Sequence, residues 1–150
     1  MKFLVTGSAG LIGSQIVKDL IQKNHTVYSC YHDQKPLQGI PTLLDLSDSN
    51  KIIQTLHETK PDRIIHLAAM TGVDLCQTEN ELATIINTKA TETLAKQAAK
   101  QNIFFLYVST DYVFNGISGM KKEDDTTNPL GFYGKSKLGG ELVLNKLASN

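Results

Sequence analysis

At 150 residues the chain has the length of one domain with a real core, and 41% hydrophobic with 20% charged residues is the balance of a soluble globular fold. Fifteen basic and fifteen acidic side chains cancel, which removes the basic excess that nucleic acid or an anionic membrane surface requires. Cys30 and Cys76 carry no metal-type spacing, the first residues enter a strand without a basic leader, and no apolar run approaches the ~18 residues of a membrane span. Two buried, reduced thiols in a cytoplasmic protein are therefore expected.

In chain order, Phe3 to Val5 reads as a buried strand. Gly7, Gly10 and Gly13 follow at spacing G-x-x-G-x-x-G, and the apolar positions Leu11, Ile12, Ile16, Val17, Leu20 and Ile21 mark a helix behind them. Strand, glycine turn and helix in that order form a phosphate cradle. Gly7 makes the sharp turn, Gly10 lets the backbone approach a diphosphate, and Gly13 lets the helix lie close on the strand. Free N–H groups at the helix start, with the positive end of its dipole, then face the anion.

Thr26 to Tyr31 reads as strand two, and residues 36–41, with Gly39 between two prolines, as a loop. Thr42 to Leu46 is a short third strand. Residues 47–50 supply caps for a helix that turns Ile52, Ile53 and Leu56 inward. Arg63 to Ala69 is strand four, a long helix runs from about Glu79 to Lys100, and Ile103 to Val108 is strand five. Strand five is nearly all apolar, as suits a strand covered on both faces. A loop rich in Gly, Asn and Asp leads to Pro129, and a last helix begins near Tyr133. The alternation predicts an α/β fold, a Rossmann-type doubly wound parallel sheet of order 3-2-1-4-5 with helices on both faces.

Tyr133 and Lys137 lie four residues apart at the start of that last helix, on one face and a turn apart. A lysine charge ~5 Å from a phenolate, at an effective dielectric of ~20, is worth ~3 kcal/mol, roughly two pKa units. That moves a phenol toward proton exchange with a carbonyl or alcohol oxygen. Ser109, Thr110 and Asp111 stand at the end of strand five, where a hydroxyl can donate to the same oxygen. Ser109 itself reads as a hydrogen-bonded strand end, His66 as a satisfied core histidine, and residues 123–125 as a solvated charge run. His25, His32 and His57 share no ligand spacing, so no metal is assigned.

With these pieces together the chain resembles the extended short-chain dehydrogenase/reductase superfamily, and within it the dTDP-4-dehydrorhamnose reductase family. The matching stretches are T-G-S-A-G-L-I-G at 6–13, L-D-L-S-D at 44–48, L-A-A-M-T-G-V-D at 67–74 and I-N-T-K-A-T at 86–91. They continue with S-T-D-Y-V-F-N-G at 109–116 and N-P-L-G-F-Y-G-K-S-K-L-G-G-E at 128–141. The resemblance implies Tyr133 as proton donor, Lys137 as the charge that tunes it and holds the nicotinamide ribose, and Thr110 as the hydroxyl on the substrate oxygen. It implies Gly7, Ala9, Gly10, Leu11, Ile12 and Gly13 around the diphosphate, and Asp45 and Leu46 at the adenine. Ala68, Ala69, Met70, Thr71 and Val108 would line the cofactor trough, Asp111 would reach the sugar, and Asn87 would be a structural helix asparagine. The implied reaction is hydride transfer from NADP(H) or NAD(H) to a 4-keto group on a dTDP-sugar.

Strand two ends in Cys30-Tyr31-His32 with Asp33 just beyond, so no acid at Tyr31 repels a 2′-phosphate, and His32 or Lys35 could attract one. This favours NADP(H) and leaves NAD(H) open. The resemblance also implies a sixth strand and a smaller C-terminal substrate domain after residue 150. The 150 residues are then expected to bind the dinucleotide and to reduce little alone. The apolar fifth strand favours self-association, in the simplest case a homodimer. Two alternatives share these motifs: an epimerase or dehydratase, for which tightly retained NAD would speak, and the non-catalytic NADP-binding regulatory subunit of methionine adenosyltransferase.

Overall fold

The computed structural model describes residues 1–149. Its sheet is parallel and five-stranded, in the order β3-β2-β1-β4-β5, which is the winding expected from the sequence. The strands are β1 (Lys2–Thr6), β2 (Thr26–Tyr31), β3 (Ile40–Leu43), β4 (Arg63–His66) and β5 (Phe104–Tyr107). The helices are α1 (Leu11–Gln22), α2 (Ser49–Thr59), α3 (Val73–Thr78), α4 (Asn80–Ala83), α5 (Ala90–Lys100) and α6 (Phe132–Ala148). A π-helical turn (Thr84–Lys89) joins α4 to α5, and a 3₁₀ turn (Asp111–Val113) follows β5.

Side-chain alternation along the strands builds two cores. On one face Leu4, Cys30 and Ile64 pack with Ile52 and Leu56 of α2 and Leu94 and Ala98 of α5. On the other, Phe3, Val5 and Val27 pack with Val17 of α1. Cys30 and Cys76 are both buried free thiols, and burial pushes the Cys30 thiol up to about 12. No helix among the described residues is long and apolar enough to cross a membrane.

Four expectations need correction. The third strand lies earlier than Thr42 to Leu46: it includes Pro41, tolerated because β3 is the sheet edge, and Leu44, Asp45 and Leu46 continue past it. Strand four stops at His66, so residues 67–72 are loop. The helix expected from Glu79 is preceded by α3 and interrupted by the π turn. Strand five is covered on one face only. Phe104 and Leu106 are 53% and 40% exposed, so its apolar run does not mark burial on both sides, and Arg63 stacks over the Phe104 ring at 5.1 Å.

Candidate functional site

The glycine turn has the form its sequence requires. Gly7 has φ +69, and a Cβ there would lie 2.8 Å from the Ala68 nitrogen. A Cβ on Gly13 would drive into the Gly7 carbonyl oxygen, so α1 sits on the turn with no room for a side chain. Gly10 differs: an added Cβ would meet only the Gly7 oxygen, at 3.3 Å, and the space beyond it is cleft. Gly10 is also the N-cap of α1, with no capping side chain and no acid in the first turn. The first N–H groups of α1 have no preceding helical carbonyl, and Leu11 above them is 93% exposed. Backbone donors and a helix dipole thus converge on a space that suits an anion.

A cleft of about 810 Å³ opens from this turn across the carboxyl ends of β1, β2 and β4. Thr6, Gly7, Ala9 and Gly10 form one end of its lining. Asp45 and Leu46 lie in the lining beside Leu44 and Ser47, with Ala68, Ala69 and Met70 also contributing. Sequence reasoning did not assign Leu75, Leu82 and Ile86 to this lining, though all three belong to it. Leu82 and Ile86 fell within the helix expected from Glu79, but the break into α3, α4 and the π turn that carries the three residues was not visible. Leu11, Ile12 and Gly13 stand at the helix start rather than in the lining, and Thr71 lies outside it in the exposed loop.

A second cleft of about 640 Å³ lies between the residues 111–121 and residues 130–131, with Val73 of α3 contributing to it. Asp111 and Tyr112 line it, and Tyr133 meets the Tyr112 ring edge-on at 5.6 Å between centroids. Tyr133, Lys137, Thr110 and Val108 line neither cleft. They gather instead at the end of β5. Lys137 donates from Nζ to the Val108 carbonyl at 2.7 Å, and the same ammonium sits 4.0 Å from the Tyr107 ring centroid. Tyr107 donates to the Lys137 carbonyl at 3.2 Å. Thr110 caps the 3₁₀ turn by accepting from the Tyr112 N–H and donates to Asp111. No hydrogen bond joins Tyr133 to Lys137 or to Thr110 among the described residues.

Lys137 is 2% exposed, and this burial lowers its pKa to about 8 against the opposing pull of Glu141. It stays charged at neutral pH. Ser109 donates to Glu141, the strand-end role expected of it. The helix carrying these groups is seated by close approach. A Cβ at Gly134 would strike the Tyr112 carbonyl, and one at Gly140 would lie 2.6 Å from the Tyr107 hydroxyl. These two glycines are positioning features that sequence reasoning passed over, although both stand in the quoted motif.

A buried polar chain ties the trough to this helix. The Thr6 hydroxyl accepts from the N–H groups of Leu67 and Ala68, both at 3.1 Å, so its own proton goes to His66 Nδ1 at 2.7 Å. His66 then donates from Nε2 to Thr91 at 3.0 Å, and Thr91 to the Asn87 carbonyl at 2.8 Å. Burial, with the charge of Lys137 adding to it, pushes His66 down to about 3, which fixes the neutral ring. Asn87 accepts from Met70 N–H and donates to Met70 O and to Ser136 Oγ. The core histidine and the structural asparagine are where the sequence put them.

The family described as RmlD substrate binding domain matches residues 1–150. The chain belongs to this family. Among its curated relatives, the probable low-salt glycan biosynthesis reductase Agl14 of Haloferax volcanii is 38% identical over 143 residues, 94% of this chain and 48% of that protein. Methionine adenosyltransferase 2 subunit beta of Xenopus tropicalis is 40% identical over 142 residues, 94% of this chain and 42% of that one. A crystal structure of dTDP-4-dehydrorhamnose reductase from Bacillus anthracis, in complex with NADP, superposes with a TM-score of 0.85 at 30% identity, covering 97% of this chain and 49% of that chain. The chain therefore spans about half the length of the relatives it matches. The glycine turn and its cleft lie at the carboxyl ends of β1, β2 and β4, and Lys137 of α6 bonds the Val108 carbonyl just past the end of β5.

Proposed function

We propose that the chain is the cofactor-binding part of an NAD(P)H-dependent reductase of a 4-keto deoxysugar carried on a nucleotide, with a dTDP-sugar as substrate. One observation carries the reading: α1 starts on an uncapped glycine at the mouth of a cleft large enough for a dinucleotide. The diphosphate would rest on the N–H groups of Leu11 and Ile12, where Gly7, Ala9 and Gly10 leave room and Gly13 seats the helix. Asp45 and Leu46 would flank the adenine, and Ala68, Ala69, Met70, Thr71 and Val108 would border the rest. The reduced nicotinamide supplies a hydride when bound.

The other steps fall to the chain's own residues. Tyr133 gives its proton to the carbonyl oxygen as the alcohol forms, and Thr110 donates to the same oxygen. Lys137, charged at neutral pH, stabilises the phenolate that remains and binds the ribose. Asp111, in the lining of the second cleft, accepts from a sugar hydroxyl. By this reading the 150 residues bind cofactor and turn over little alone, and rapid reduction of a 4-keto sugar nucleotide by them would refute that part.

The test is a fluorescence titration of NADH and NADPH into the protein and into Gly10→Val. The branched side chain should block diphosphate approach and abolish saturable binding, and equal binding by the variant refutes the site. The identity to methionine adenosyltransferase 2 subunit beta favours a second reading, a non-catalytic cofactor-binding subunit. Thr110, Tyr133 and Lys137 together support the reductase. In a longer chain that carries a substrate-binding part, ketone-dependent NAD(P)H oxidation that disappears in Tyr133→Phe, with no enzyme retained in a pull-down, separates the two.

A further inference from the structure

Lys137 has a neighbour that the proposed chemistry does not use. Glu141 stands four residues on, one turn along the same face of α6. Consecutive residues just past β5 hold the two side chains. The Val108 carbonyl accepts from Lys137 Nζ at 2.7 Å, and the Ser109 hydroxyl donates to a Glu141 carboxylate oxygen. Cation and anion are thus tied to one strand end, and no direct ion pair joins them among the described residues. The other titratable groups around Lys137 are Tyr107 of β5, whose ring centroid lies 4.0 Å from the ammonium, His66 of β4, and Tyr133 one turn back on α6. Burial holds the Tyr107 phenol above its ordinary range and the His66 ring below its own, so neither carries charge near pH 7. Glu141 supplies the negative field that favours the charged lysine, against a burial that opposes it.

We propose that Glu141, aimed by Ser109, is a positioning residue that keeps the Lys137 ammonium charged in its buried seat. The inference rests on the roles given to Tyr133 and Lys137 above and deepens them. Glu141 lines neither cleft, so it acts through the lysine. Without that anion, burial alone sets the balance, and the ammonium gives up its proton at a lower pH. A neutral amine cannot stabilise a phenolate, so the pH range in which Tyr133 can serve closes from the alkaline side. Opposite charges about 7 Å apart at a partly wetted site shift one another by about one pKa unit, a tenfold change in the ratio of charged to neutral lysine. Ser109 contributes by holding the carboxylate on the lysine's side of the helix instead of letting it swing into solvent.

The experiment is an NMR pH titration of lysine labelled with ¹³C at Cε, on the 150-residue chain without cofactor. It compares the wild type with Glu141→Gln and Ser109→Ala, and the Lys137 signal is identified by its absence from Lys137→Met. Glutamine keeps the shape of the side chain and still accepts from Ser109, so a purely structural role would leave the midpoint where it is. Circular dichroism checks the fold of each variant. The wild-type midpoint should lie near 8, and Glu141→Gln should lower it by about one unit. Ser109→Ala keeps the charge and loosens its aim, so it should lower the midpoint by less, which gives a second reading of the same contact. A midpoint unmoved in Glu141→Gln overturns the proposal, and one unmoved in Ser109→Ala overturns the part given to Ser109. A wild type that binds neither NADH nor NADPH overturns the cofactor reading instead, and the lysine midpoint, read without cofactor, still decides the role of Glu141.

Discussion

Two helices lie on opposite faces of the sheet and treat their first N–H groups in opposite ways. At α2, Asp48 turns its carboxylate back and accepts from the N–H groups of Asn50 and Lys51, at 2.9 and 3.0 Å. At α1 the cap is Gly10, which has no side chain to offer. The first end is satisfied by its own sequence, as stability requires. The second stays open toward the cleft, and the fold forgoes only about a few tenths of a kcal/mol of capping there, since glycine is itself a tolerated cap. An uncapped glycine start is shared with α3 and α6; what sets α1 apart is the tight glycine turn packed beneath it.

The contrast can be broken from several directions. Gly13→Val should have the largest effect. Its side chain has no path past the Gly7 carbonyl, so the turn must open, and a loss of about 3 kcal/mol or more is expected in denaturant titration, with cofactor binding lost as well.

A second effect of similar size appears with pH, through Lys137 of α6. Lys137 in the folded chain has a pKa near 8, below the ordinary 10.5 of the unfolded chain. Between those values the unfolded state holds a proton that the folded state has released, so stability rises with pH across that window. The Cys30 thiol, raised to about 12, acts in the opposite sense above its ordinary 9.0. Comparison with Lys137→Met isolates the lysine. The stability of the wild type relative to that variant should grow by about 3 kcal/mol from pH 7 to pH 10.5.

Gly10→Asp converts the first helix start into the second kind. The new carboxylate caps α1 and occupies the anion's place, so dinucleotide binding should disappear while stability holds or rises by about a few tenths of a kcal/mol. Asp48→Ala makes the reverse change on α2. It should cost about 1 kcal/mol in a melting experiment and leave cofactor binding at the wild-type level.

The same contrast shows how much of the molecule could be read from its residues. The strand order follows from apolar runs separated by helical periods, and the glycine spacing identifies the turn before any coordinates exist. Asp48 was visible as a cap because it precedes a helical period. Local periodicity could not reveal the π turn, since one residue inserted between Thr84 and Lys89 shifts the register without altering composition. That insertion places Asn87 where it can hold both Met70 and Ser136. The burial of Lys137 was equally hidden. It depends on β5, the Val108 carbonyl and the Tyr107 ring, which come from a distant part of the chain. Asp33 and His32 were noticed, but their pairing was not, because a carboxylate next to a histidine in sequence does not state where either one points.

The glycines at 134, 139 and 140 have one more effect. Each removes about 1 kcal/mol of intrinsic helix preference from α6 relative to alanine, so the segment has little tendency to coil by itself. A synthetic peptide of residues 132–148 would spend most of its time unwound, with phenol and amine drifting independently. Docking on β5 and the π turn is what holds the helix, so the relative placement of Tyr133 and Lys137 comes from tertiary assembly and dissolves with it.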